Sequence, residues 1–213
     1  MALPLHERLA ATAAERAALV AAARNLIRAA VTADPPAAAL VAATAAIEQA
    51  TAAIAAHVPS PPLPRYPMAV DPRSPNEFFP FDPMMGRYSP LAPPVEISWE
   101  DGKLIGRVRF DTQYEGPPGC VHGGVIAAVF DQMLSTPNVM LGSSGPTARL
   151  ALRYHRPTPL RTDLVFEGWQ ESADGKRLHC RGRLLAGDVV TVDAEGTFVR
   201  ISPERLLRMA TGG

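Results

Sequence analysis

Residues 123–136 constrain the fold more than any other stretch, because they read as one helix that is apolar over most of its circumference. Ile126, Val129, Phe130 and Met133 fall on one face at helical spacing. Gly124, Ala128, Asp131 and Ser135 recur at steps of four, three and four on another. Strand signals surround this helix. Residues 95–99 and 103–110 flank Asp101-Gly102, a dipeptide suited to the positive φ angles of a two-residue hairpin turn. Downstream, Leu150, Leu152 and Tyr154 alternate with Arg149, Arg153 and His155, as on a strand with one covered face. Residues 164–169 follow, and turns at Asp174-Gly175 and Gly187-Asp188 bound the alternating Leu178, Cys180, Gly182 and Leu184 and lead into 190–199. The plan is two strands, one long apolar helix, then four strands. A lone apolar helix among antiparallel strands must be covered by them, so an α+β fold is expected whose sheet curls around the helix.

Upstream of the strands the pattern is different. Residues 1–58 read as a helical hairpin: Leu5, Leu9, Leu19, Ala23 and Leu26 share a helical spacing within 4–33, and Asp34-Pro35-Pro36 offers an N-cap followed by proline. Leu40, Thr44, Ile47, Thr51, Ile54 and Val58 then alternate steps of four and three, a narrow seam suited to packing on the same domain or on a sister subunit. Residues 59–93 form a Pro-rich linker, since twelve of the 22 prolines fall between 59 and 94 and such density forbids helix interiors and central strands. A flexible joint is expected near 59–75. Phe78, Phe79, Phe81, Met84, Met85 and Tyr88 are too apolar for a free linker, so its later part should lie on the core. The globular domain is assigned to 94–201 and a tail to 202–213.

Composition narrows the function. Lys plus Arg and Asp plus Glu both number 21, so no net charge draws the chain to nucleic acid or an anionic membrane. The four arginines of 1–58 balance four acids, which disfavours a DNA-binding helix-turn-helix. The first thirty residues are interrupted by Glu7, Arg8, Glu15, Arg16, Arg24 and Arg28, leaving neither a signal-peptide core nor a transmembrane run there. Cys120 and Cys180 have no Cys-x-x-Cys or Cys/His ligand spacing, against zinc and against a disulfide framework. A cytoplasmic protein with no metal or cofactor is expected.

The chemistry concentrates where Gly116-Pro117-Pro118-Gly119-Cys120-Val121-His122-Gly123-Gly124 delivers the chain into the helix. The Gly123 and Gly124 N–H groups open that helix without intrahelical acceptors, and without a Cβ a carbonyl oxygen can approach them, as in an oxyanion hole. Asp131 is the one acid in the run, suited to act as general base or nucleophile, unless it is a buried acid satisfied by backbone. Gly123 and Asp131 stand eight residues apart, about 12 Å along a helix at 1.5 Å per residue, too far to share one carbonyl. If they act together they come from two chains, in a dimer whose helices pair antiparallel across a two-fold axis. Cys120 beside His122 also admits a Cys/His nucleophile pair, though no third orienting group is in view.

With these motifs the chain resembles the hotdog-fold acyl-CoA thioesterases, in particular their phenylacetate-pathway (PaaI-like) branch. The resemblance spans about 80–200 and rests on residues 89–94, residues 114–124 with His122-Gly123-Gly124, Phe130-Asp131 nine positions after that His, and Tyr154-His155-Arg156-Pro157 onward. It implies a hotdog fold, a homodimer or homotetramer, and hydrolysis of an acyl-CoA substrate to free acid and CoA. Residue by residue it implies that the Gly123 N–H polarises the thioester carbonyl, that Asp131 of the opposite subunit attacks it or activates water, and that His122 orients the substrate. Thr147, seven residues before Tyr154, stands where relatives use a Ser or Thr to assist. Gly124 and Gly116 are placed at the substrate. Many relatives carry Asn where this chain has Gly116, so either a backbone N–H replaces the amide or the carbonyl is held less firmly. The alternatives are a non-catalytic hotdog module that binds acyl-CoA or an acyl carrier, and a scaffold working through its helical hairpin. A dehydratase of the same fold fits less well, since its usual His and Asp pairing within one motif is not seen.

Overall fold

A computed structural model describes residues 5–60, 79–143 and 145–202. The joint expected near 59–75 falls almost wholly outside these residues, as do Phe78 and all but the first residue of the expected tail.

Six antiparallel strands, β1 (Glu96–Glu100), β2 (Lys103–Val108), β3 (Thr147–Tyr154), β4 (Leu164–Asp174), β5 (Arg177–Ala186) and β6 (Val189–Val199), form one sheet in the order β1-β2-β4-β5-β6-β3. The β1–β2 hairpin turns on Asp101 and Gly102, both at positive φ, 47° and 77°, as the dipeptide predicts. The strand that follows the central helix does not return beside β2. It crosses to the far edge and pairs with β6, while β4 pairs with β2, so β1 and β3 are the two edges.

The central helix, here α4 (Gly123–Met140), lies in the concavity. Ile126, Val129, Phe130, Met133 and Leu134 are buried, and Phe130 meets Phe166 of β4 edge to face with ring centroids 5.0 Å apart. Phe110 and Phe198 complete a fully buried aromatic core. This is the curled sheet around a helix that the pattern predicts.

α4 outlasts its expected end at 136, continuing through Pro137 to Met140. Proline there removes the N–H that would bond the Met133 carbonyl. That carbonyl faces Gly168 of β4, so closely that a Cβ on Gly168 would stand 2.2 Å from its oxygen. Gly182, paired with Gly168 across β4–β5, is as tight: a Cβ there would meet the Glu167 carbonyl at 2.5 Å and Leu134 and Phe130 at 3.0 Å. Helix and sheet approach where the strands carry no side chain. Buried Asn138 fastens the helix end, its Oδ1 accepting from Gln170 Nε2 at 2.9 Å and from the Cys180 thiol at 3.2 Å.

Before the sheet come α1 (Leu5–Ala10), α2 (Ala13–Thr32) and α3 (Ala37–Ala55). The single helix expected over 4–33 is broken at Ala11 and Thr12, where the Thr12 hydroxyl donates to the Arg8 carbonyl and competes with the helical ladder. Val20 faces inward, whereas Leu19 and Leu26 of the expected face are exposed. Asp34 does not cap α3: each residue before a proline is held extended, so the helix starts only after Pro36, which makes no side-chain cap. α2 docks through Arg24, whose Nη2 donates to the Ser89 carbonyl at 3.0 Å, and through Arg28, 3.2 Å from Asp111. α3 is exposed along its whole length, with Leu40, Ile47 and Ile54 uncovered. It is also long and apolar enough to cross a membrane by length and composition, with a mean hydropathy of 1.5, which qualifies the expectation of no membrane contact drawn from net charge.

Residues 79–95 lie on the core. Asp82 is buried and accepts the Met84 and Met85 N–H groups at 2.7 and 3.0 Å, and its other oxygen takes the Gln132 side-chain amide of α4.

Two measurements test these contacts. Gly168→Ala should destabilise the protein by about 2–3 kcal/mol, the cost of overpacking against backbone, read from chemical denaturation. The Thr112 N–H and then Arg28 hold the Asp111 carboxyl down from its ordinary 3.8 to about 2. A group whose folded pKa is depressed stabilises fully above its unfolded pKa and loses that contribution as pH falls through the folded one. Amides of α2 should therefore lose hydrogen-exchange protection between about pH 4 and 2 ahead of those of β4–β6, and Asp111→Asn should remove this step.

Candidate functional site at the start and middle of the central helix

The Pro/Gly loop before α4 is a closed turn. Gly116 N–H donates to the Cys120 carbonyl at 2.9 Å, Cys120 N–H to the Pro117 carbonyl at 2.8 Å, and Gly119 adopts φ +74°. Outside contacts fix its exit: Val121 N–H bonds the Thr158 carbonyl and His122 N–H the Tyr114 carbonyl, both at 2.8 Å. Gly116 packs against His122 so closely that a Cβ would stand 2.8 Å from the His122 Cα. Two consequences follow for Gly116. Its N–H is engaged within the turn and does not stand in for an asparagine amide, and its close packing on His122 leaves no room for a larger side chain in this loop conformation.

His122 is the N-cap of α4. Its Nδ1 accepts the Gly124 N–H at 2.9 Å, an imidazole in the capping role usually held by Ser or Asp. In the neutral ring that bond leaves the proton on Nε2, which points a donor outward. It also corrects the reading of Gly124: of the two glycine amides expected to face a carbonyl, Gly124's is taken by the cap. The Gly123 N–H has no acceptor among the described residues.

Asp131 sits two turns further on, half-buried, and its Oδ1 accepts from the Thr147 hydroxyl at 2.7 Å. The two residues are sixteen apart in sequence and meet because β3 runs back along α4. At the other end of β3, the Tyr154 hydroxyl donates to the Gly123 carbonyl at 2.7 Å, with its ring against the glycine. Partial desolvation pushes the Tyr154 phenol above its ordinary range, which already leaves it a donor at neutral pH. Tyr154 entered the sequence reading only as a strand residue and part of a motif, and its alternation with Arg153 and His155 carried no sign that it would reach the helix start.

One strand thus braces two half-sites: Gly123 with His122 and Tyr154, and Asp131 with Thr147. Their separation along α4, about 12 Å, keeps them from acting on one carbonyl within a chain. Cys120 takes no part with His122: its thiol lies 3.6 Å from the Pro118 carbonyl, and the His122 Nδ1 is occupied. Cys180 is buried, which pushes its thiol up to about 11. Among the described residues no group of three His, Cys, Asp or Glu side chains gathers as a metal would require.

Residues 118–193, which include His122, Gly123, Asp131, Thr147 and Tyr154, match the sequence profile of the Thioesterase superfamily. A solved structure of a thioesterase superfamily protein shares 34% identity with this chain, covers 86% of it and 94% of its own length, and superposes with a TM-score of 0.77. The chain belongs to the thioesterase superfamily. Its fold is the hotdog fold of that superfamily, extended by the N-terminal helices. Among curated proteins, acyl-coenzyme A thioesterase THEM4 of Mus musculus is 32% identical over 95 residues, and that of Xenopus laevis 30% over 91. These alignments cover 44% and 42% of this chain, and it spans only about two fifths, 41%, of each relative's length.

Tyr154→Phe removes the phenolic donor and keeps the ring. It should cost about 0.5–1.5 kcal/mol of stability by denaturation, as for one hydrogen bond, and raise hydrogen exchange in the first turn of α4 while leaving β4–β5 unchanged.

Proposed function

We propose that the protein hydrolyses acyl-CoA thioesters to the free acid and CoA, at two equivalent sites each built from two copies of the chain. The carrying observation is the unsatisfied Gly123 N–H at the start of α4, combined with an Asp131–Thr147 pair that the same helix holds too far away to serve it. The curated relatives' names, acyl-coenzyme A thioesterase, agree in substrate class.

The thioester oxygen accepts from the Gly123 N–H, at a helix N-terminus whose dipole favours negative charge. The His122 Nε2–H is a second donor at the same end. Asp131 of the opposite subunit takes a proton from water as the water oxygen bonds to the carbonyl carbon. The tetrahedral oxyanion then collapses, the C–S bond breaks, and the CoA thiolate leaves and is protonated. In the nucleophilic variant Asp131 bonds the carbonyl carbon itself, the C–S bond breaks and the CoA thiolate leaves and is protonated, and water then hydrolyses the resulting anhydride to the free acid and the Asp131 carboxylate. Thr147 donates to Asp131 Oδ1 and so fixes the orientation of the carboxylate in either route.

The edge position of β3 supports the dimer. An edge strand exposes unpaired N–H and C=O groups, and antiparallel pairing with its own copy would continue the sheet across a two-fold axis. Because β3 runs along α4, that pairing also sets the two helices antiparallel, with Gly123 of one toward Asp131 of the other.

Free-thiol release from a panel of acyl-CoAs tests the reading. Asp131→Ala and Asp131→Asn should each lower kcat by about 10² or more, the scale of general base catalysis. Gly123→Pro deletes the one N–H at a helix position that tolerates proline, and should cost about 10²–10³, as loss of an oxyanion donor does. Co-expressed Asp131→Asn and Gly123→Pro chains should regain activity in the mixed dimer, which has one intact site. No gain on mixing would place both groups' work within one chain and defeat the shared site. Acyl-CoA binding without turnover in the unaltered protein would defeat the hydrolase reading.

A further inference from the structure

A cavity lies at the β1 edge of the sheet, lined by Arg24 of α2, by residues of the segment after Asp82 and by β1. It is an open cleft with a volume of about 510 Å³, within the usual range for small-molecule sites. Its floor is apolar, with Met85, Val95 and Ile97, and three arginines line it: Arg24, Arg87 and Arg107. Glu96 is the one carboxylate in its lining, so the formal charge around it is 3 − 1 = +2.

The arginines are not equivalent. Arg107 is held on Glu100 and Ser98 at 3.0 and 3.2 Å and already has its carboxylate. Arg87 is exposed, and its guanidinium lies 5.9 Å from the centroid of the Tyr88 ring, with no ion pair among the described residues. Arg24 is the informative one. It spends Nη2 on the Ser89 carbonyl, while its Nε is buried with no hydrogen-bond partner, and no carboxylate pairs with it among the described residues. Burial disfavours its charge, the largest influence on it. A partly buried guanidinium with an N–H lacking an acceptor and no carboxylate beside it favours an oxyanion, which accepts from a guanidinium fork in bidentate fashion.

We infer that this cavity binds a small amphipathic anion, a carboxylate or phosphate monoester on a short aliphatic chain, with the head group between Arg24 and Arg87 and the chain over Met85, Val95 and Ile97. None of His122, Gly123, Asp131, Thr147 and Tyr154 lines it, so the cavity is distinct from the Gly123 and Asp131 half-sites, and the inference does not depend on the hydrolase reading. Every residue that lines it precedes the superfamily match at 118–193.

Calorimetric titration of the full chain with octanoate, octyl phosphate and octanol tests it, using the unaltered protein, Arg24→Gln, Arg87→Gln and Asp131→Ala. At least one of the two anions should bind saturably and octanol should not, and whichever anion binds more tightly identifies the head group. Affinity should fall about tenfold or more in each arginine variant, as for loss of a charge-assisted hydrogen bond, and hold in Asp131→Ala. Arg87 is exposed on a surface segment, so Arg87→Gln gives an answer even if Arg24→Gln fails to fold. The inference is overturned if neither anion binds, if octanol binds as tightly, if Arg87→Gln leaves affinity unchanged, or if Asp131→Ala abolishes binding.

Discussion

The close seating of α4 in the sheet is the contact on which the rest depends. A helix normally keeps a full layer of side chains between its backbone and a sheet, but here the Met133 carbonyl lies where Gly168 has no Cβ. Pro137 makes that carbonyl available by withholding its N–H, and Gly182 lets Leu134 and Phe130 settle beside it. Once the helix is that deep, its buried face is committed to the core. The face with Gly124, Ala128 and Asp131 is left toward the open side, and β3 can lie along it. Packing thereby decides which residues of the helix are available for chemistry.

The start of the helix shows how capping sorts two amides that look alike in sequence. Gly123 and Gly124 both lack helical acceptors. His122 folds its ring back onto the second and leaves the first free. One residue thus performs a structural task with Nδ1 and turns Nε2 outward, while Tyr154 braces the same turn through the Gly123 carbonyl. Gly116 belongs to this arrangement as well: its lack of a side chain is what allows the loop to close against His122.

The N-terminal half adds a different kind of surface. α2 is held by Arg24 and Arg28 to Ser89 and Asp111, and through the Thr112–Tyr114 turn it leans on the loop whose Tyr114 carbonyl receives His122. α3 has no such attachment among the described residues: its apolar residues recur at helical spacing and stand exposed.

Much of this was legible from the residues. Alternation at Leu178, Cys180, Gly182 and Leu184, the Asp101-Gly102 turn and the apolar run after Gly123 each have a local cause, whether backbone preference or the period of a buried face, and each emerged in place. The eight-residue interval between Gly123 and Asp131 sets their separation as soon as the segment is a helix, because helical rise is invariant. What local pattern could not decide was anything requiring two distant segments to meet. That β3 crosses to the far edge, that Thr147 reaches Asp131 while Tyr154 reaches Gly123, and that Leu19 turns outward while Val20 turns inward depend on which surfaces are left to cover once the sheet has closed on α4. Sequence by itself determined the elements and the spacing of the chemical groups, since these follow from the chain's own geometry. Tertiary structure alone decided which of those groups remain free, because a hydrogen-bonding group is free only when no neighbour, near or far in sequence, has been packed within its reach.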